Sequence, residues 1–163
     1  MPTELMQGWS DFFVAEAGAS AALAGLLFVA VSINLSRILE FRQLPIRAAE
    51  ALMALFSVLV VATLGLVPRQ PAAAYGAEIG LTGLAVWAAQ TMALVSTRKI
   101  DQRHRLFGVR FLLNQLPPIP FVVAGARLIA GHADAVYWVV PGTVLSYAAG
   151  IYSAWVLLIE IQR

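Results

Sequence analysis

The chain has 163 residues, 60% of them hydrophobic and only 12% charged, with a formal net charge of +2. Soluble domains carry roughly 25% charged residues, so a water-soluble globule is excluded. Cysteine is absent, which excludes disulfides, thiolate metal centres and cysteine nucleophiles.

The apolar residues fall in runs of about 20, the length that crosses a bilayer core. About 50 residues lie outside those runs, too few for a separate soluble domain. The expected fold is therefore all-α: one integral membrane domain over residues 1–163, a bundle of five transmembrane helices.

Met1–Asp11 carries Glu4 and Asp11 but neither Lys nor Arg. It lacks the positive n-region and cleavage site of a signal peptide. Trp9 stands where an interfacial anchor belongs, and Ser10 is placed to cap the first span, Phe12–Ser36. A basic turn with Arg37, Arg42 and Arg47 contains Pro45, pre-set for helix entry, and leads into the second span, Ile46–Val67. Pro68 closes it. The third span, Tyr75–Thr97, stops at the densest charge run in the chain: Arg98, Lys99, Asp101, Arg103, Arg105 and Arg110. These basic side chains are expected on anionic lipid headgroups. The fourth span is Phe111–Ala130, followed by a tight turn at Gly131–Asp134. The fifth, Val136–Ile159, opens with Tyr137 and Trp138.

Lys and Arg crowd the connections after the first and third spans and the C-terminus, whereas the opposite side holds only Arg69 and Arg127. Positive charge stays cytoplasmic, so the N-terminus is expected outside and the C-terminus inside. The arginines thus describe membrane topology, and no nucleic-acid partner is expected.

The fourth span is interrupted near its middle by Pro117, Pro118 and Pro120. Proline removes backbone donors and clashes with the preceding turn, so a regular helix is expected to break there. In hydrocarbon the freed carbonyls need shelter from protein or a wet cavity. Asn34, Gln90, Asn114, Gln115 and Ser153 form an expected polar layer beside that break. The layer reads either as interhelical hydrogen-bonding glue or as the lining of a pathway. Glu16, Glu78 and Arg127 fall at one level towards the outer face, where they are expected as a charged cluster, structural or ion-binding. Glu50 lies towards the inner face, beside Arg47.

Small residues recur at four-residue spacing: Gly18 and Ala22 beside Ala17, Ala21 and Gly25; Gly76 and Gly80; Gly142, Ser146 and Gly150. Such stripes let backbones approach where lipid removes the hydrophobic drive. A homo-oligomer is expected, packed through Gly18, Gly25, Gly142, Ser146 and Gly150. His104 and His132 lie in loops on opposite sides and share no site. Ser20 lacks a base nearby and reads as packing, and the aspartates lie at span ends or in loops. Neither an enzyme, a cofactor nor a metal site is expected.

The first span and its exit, Trp9-Ser10-Asp11-Phe12-Phe13-Val14 through Ser32-Ile33-Asn34-Leu35-Ser36-Arg37, resemble the start of a family of short bacterial membrane proteins. Those proteins are mainly uncharacterised, and some are labelled modulators of a membrane protease. The resemblance covers about a quarter of the chain and implies a bacterial inner-membrane location. The function expected from these features together is a small oligomeric channel or transporter for an ion or small solute. The alternative is an accessory or scaffolding subunit of a larger membrane complex.

Overall fold

The computed structural model describes residues 8–41, 43–97 and 104–161. The described residues are almost wholly helical, and five segments are long and apolar enough to cross a membrane. Large apolar side chains such as Leu26, Ile33, Leu81, Met92 and Trp155 point outward, as a lipid solvent permits. Most of the charge run after the third span, Arg98 to Arg103, lies outside the described residues, as do Arg42 and Arg163.

Helix α1, Ser10–Ile33, is capped by Trp9 without a side-chain bond, and Ser10 is already helical, so the expected serine cap is not made. Of its 24 residues only Phe13, Ser20 and Leu27 are buried. That is one residue every two turns, so a single narrow seam meets the bundle. The chain bends at Asn34 (φ −103°, ψ 16°), whose Nδ2 donates to the Ala30 carbonyl at 2.9 Å. It continues as the short α2, Leu35–Glu40, which carries Arg37 where a turn was expected. Ile38 anchors α2 on Leu44, Ala48 and Leu157.

Helix α3, Leu44–Gly65, takes Pro45 in its first turn and is the most buried of the five spans. A missing N–H costs nothing there. It packs against α1, against α4 (Ala72–Thr97) and against the last helix, α7 (Val139–Ile161). Between them run α5 (His104–Gln115) and α6 (Pro118–Ile129), so His104 opens a helix instead of lying in a loop. Gly131, at φ +88°, ends α6. The His132 amide bonds Arg127 O and the Gly131 amide bonds Leu128 O, a Schellman closure that needs a residue free to take positive φ. A 3-10 turn, Ala133–Trp138, then leads into α7, three residues later than the fifth span was expected to open.

Helices α4 and α6 make the tightest seam. A methyl group on Gly125 would stand 2.5 Å from Gly76 O and 2.6 Å from Gly80 Cα, and one on Gly83 would meet Pro118 O at 3.1 Å. The two run antiparallel, Gly76 level with Leu128 and Gly83 level with Pro118. At one end of the bundle Trp9 packs on Tyr137 with ring centroids 4.8 Å apart, and Phe13 on Tyr75 at 5.8 Å. At the other end Ile38, Leu44 and Leu157 converge.

Candidate functional site

At the proline run α5 stops at Gln115, Leu116 and Pro117 form a turn, and α6 begins at Pro118. Pro117 keeps helical dihedrals (φ −59°, ψ −39°). What is lost is hydrogen bonding, since Pro117 and Pro118 have no N–H to offer the carbonyls of Leu113 and Asn114. The Ile119 amide falls back on Leu116 O at 3.2 Å. Pro117, Pro118 and Pro120 are all buried.

Buried polar side chains gather just before this turn. Gln115 Nε2 donates to Thr91 Oγ1 at 3.2 Å, which ties α5 to α4 and sets Gln90 level with Asn114. Gln90 and Asn114 are 1% and 3% exposed. On α7, Ser146 is buried between the levels of Gly142, against Phe121, and Gly150, against Leu55. Gln90 Oε1, Asn114 Nδ2 and Ser146 Oγ are buried with no hydrogen-bond partner among the described residues. A buried polar atom left so costs about 1–3 kcal/mol, and native proteins tolerate few of them without a role. Asn34 does not join this layer, because its amide closes on its own helix at the α1–α2 bend. Ser153 is only half-buried.

One turn from Asn114, Arg110 reaches across to α3. Its Nη2 donates to Glu50 Oε1 at 2.7 Å and its Nε to Glu50 Oε2 at 3.3 Å. Both side chains are below 10% exposed. The sequence leads one to expect Glu50 beside Arg47, and Arg110 in a loop on anionic lipid headgroups. The helical start at His104 overturns the second placement, for it carries Arg110 into the bundle on the face of Asn114. The four-residue spacing of Arg110 and Asn114 was the available signal.

Beyond the polar layer, towards the Trp9 end, the core turns mainly apolar. Val61, Ile79, Phe121, Val139, Ala124 and Leu128 form one packed cluster with Phe13 and Tyr75. Taking an unpaired ion into such a medium costs on the order of 20 kcal/mol by a Born estimate. An uncharged amide or hydroxyl costs roughly 2–7 kcal/mol.

The expected outer cluster does not assemble. Glu16 Oε2 accepts from Tyr147 Oη at 2.6 Å, and Glu78 Oε2 accepts from Gln70 Nε2 at 2.5 Å. Arg127 pairs with Asp134 at 3.2 Å, both exposed. Among the described residues, Glu16, Glu78 and Arg127 each bond to a different partner and form no ion pair with one another. Ser20 is fully buried, its hydroxyl donating to Glu16 O at 2.6 Å.

The small residues divide sharply. Gly142, Ser146 and Gly150, expected at an oligomer contact, pack inside the protomer against Phe121 and Leu55. The Gly76 and Gly80 pair likewise meets Gly125. A Cβ added to Gly18 or Gly25 would meet nothing within 4 Å, so only α1 keeps its stripe open.

No family model, no curated protein and no solved structure matches this chain. Its functional reading rests on the geometry above.

Proposed function

We propose that the protein is a small channel or transporter for an ion or small solute, lying in the bacterial inner membrane with its N-terminus outside and C-terminus inside. The observation that carries this reading is the buried layer of Gln90, Asn114 and Ser146, with unpartnered polar atoms beside the hydrogen-bond gap at Pro117 and Pro118. Interior packing alone does not favour such a layer, since each orphaned atom is destabilising. A passing solute turns the same atoms into ligands. The Glu50–Arg110 pair flanks the layer and holds α3 against α5. Under this topology the pair sits on the cytoplasmic side of the layer.

The working unit is a homo-oligomer joined through the open face of α1 around Gly18 and Gly25. The same face favours a second reading, in which the chain is an accessory subunit docked on a larger membrane complex.

Flux into liposomes containing the purified protein tests the first reading. Wild-type protein is expected to raise flux above empty vesicles, and the Pro117→Ala/Pro118→Ala double variant to change it by restoring two backbone donors. Absence of flux, with a partner that co-purifies in mild detergent, would support the accessory role instead.

A further inference from the structure

The unmatched atoms of the buried layer have a definite chemical character. Gln90 Oε1 is an acceptor, Asn114 Nδ2 a double donor, and Ser146 Oγ serves as either. The carbonyls of Leu113 and Asn114, deprived of N–H partners by Pro117 and Pro118, add acceptors at the same level. Acceptors therefore outnumber donors, and both kinds are present.

Charge points the same way. The ionic groups bordering the layer, Glu50 and Arg110, are bound to each other through two hydrogen bonds. Gln90, Asn114, Gln115, Thr91 and Ser146 are all neutral. The layer offers neither a net charge to attract an ion nor a matching carboxylate or ammonium to compensate one. The apolar cluster beyond it, Phe121 with Val61, Ile79 and Val139, is a far smaller barrier to a neutral molecule than to an ion.

We infer that the solute admitted here is a small uncharged amide, its carbonyl accepting from Asn114 Nδ2 and its N–H groups donating to Gln90 Oε1 and the freed carbonyls. Urea is the simplest molecule of this class, donor-rich with one acceptor, and complements the excess of acceptors. The inference rests on the transport reading and narrows it.

The test uses the full chain reconstituted in liposomes. Urea permeability is read by stopped-flow light scattering, and potassium and sodium flux by a potential-sensitive dye on the same vesicles. Expected is urea permeability well above that of empty vesicles with no added ion conductance. Gln90→Leu and Asn114→Leu are each expected to lower it about tenfold, the equivalent of one or two lost hydrogen bonds. Gln90→Asn, which keeps the amide but shortens its reach, gives an intermediate loss and serves if the leucine variants do not fold.

Ion flux without urea flux would overturn the assignment of solute class while leaving transport standing. Flux of neither would overturn both. Urea flux unchanged in folded Gln90→Leu and Asn114→Leu proteins would remove this layer as the site.

Discussion

The Glu50–Arg110 pair gives the sharpest prediction. Both side chains are under 10% exposed and meet side-on, through Nη2 to Oε1 at 2.7 Å and Nε to Oε2 at 3.3 Å. Arg110→Met strands Glu50 as an uncompensated buried charge, which costs about 3–5 kcal/mol. Replacing both by apolar residues of similar volume removes the desolvation penalty along with the attraction. Glu50→Leu/Arg110→Met is therefore expected to be neutral or up to about 4 kcal/mol more stable than wild type. Denaturation of the detergent-solubilised protein by SDS titration, run as a double-mutant cycle with Glu50→Leu and Arg110→Met, measures each step. Because the double variant is expected to lose nothing while Arg110→Met alone loses about 3–5 kcal/mol, coupling of at least about 3 kcal/mol is expected, at or above the top of the range usual for residues in contact. If each single variant loses less than about 1 kcal/mol and the two losses add, the pair is not the buried clamp described above.

Glycine substitutions separate the inner seams from the outer face. Gly125→Ala drives a methyl group into the Gly76 carbonyl and Gly80 Cα. It is expected to destabilise by about 1–3 kcal/mol, as overpacking does, measured by the same titration. Gly18→Leu and Gly25→Leu, at positions with open surroundings, are expected to leave protomer stability intact while shifting a homo-oligomer towards monomer in analytical ultracentrifugation. An unchanged sedimentation profile would remove α1 from the contact. Tyr147→Phe deletes the bond to Glu16 and is expected to cost about 0.6 kcal/mol, the average for hydrogen bonds between membrane helices. Arg69 sits at φ +58° in the loop between α3 and α4, so Arg69→Gly is expected to raise the thermal midpoint slightly by relieving left-handed strain.

Much of the architecture was legible in advance because lipid-facing helices must be long and apolar, and the chain has only enough residues for five. Span limits shifted by a few residues where local chemistry competes. Asn34 bonds back to Ala30 and ends α1 early, and Pro45 enters the first turn of α3 instead of preceding it. The candidate site was half legible. Gln90, Asn114 and Gln115 stood out as amides within apolar runs, and all three are buried together. Thr91, which bonds Gln115, and the buried Ser146 carry no such signal, since short hydroxyl residues are unremarkable in spanning helices. Hydropathy alone leaves Arg110 in a loop, whereas helix α5 already starts at His104 and contains it.

Composition by itself determined the solvent: 60% hydrophobic residues in long runs admit a membrane bundle and little else. It also determined where backbone hydrogen bonding lapses, because three prolines in four residues have no N–H to give. Only the tertiary structure decided partners. Glu16, Glu78 and Arg127, expected at one level, bond to Tyr147, Gln70 and Asp134, whereas Glu50 and Arg110, 60 residues apart, meet in the core. Similarly, Gly18 and Gly142 begin comparable stripes, but one faces open space and the other an aromatic ring. Periodicity along one helix states which residues share a face, and the packing of its neighbours states what that face meets.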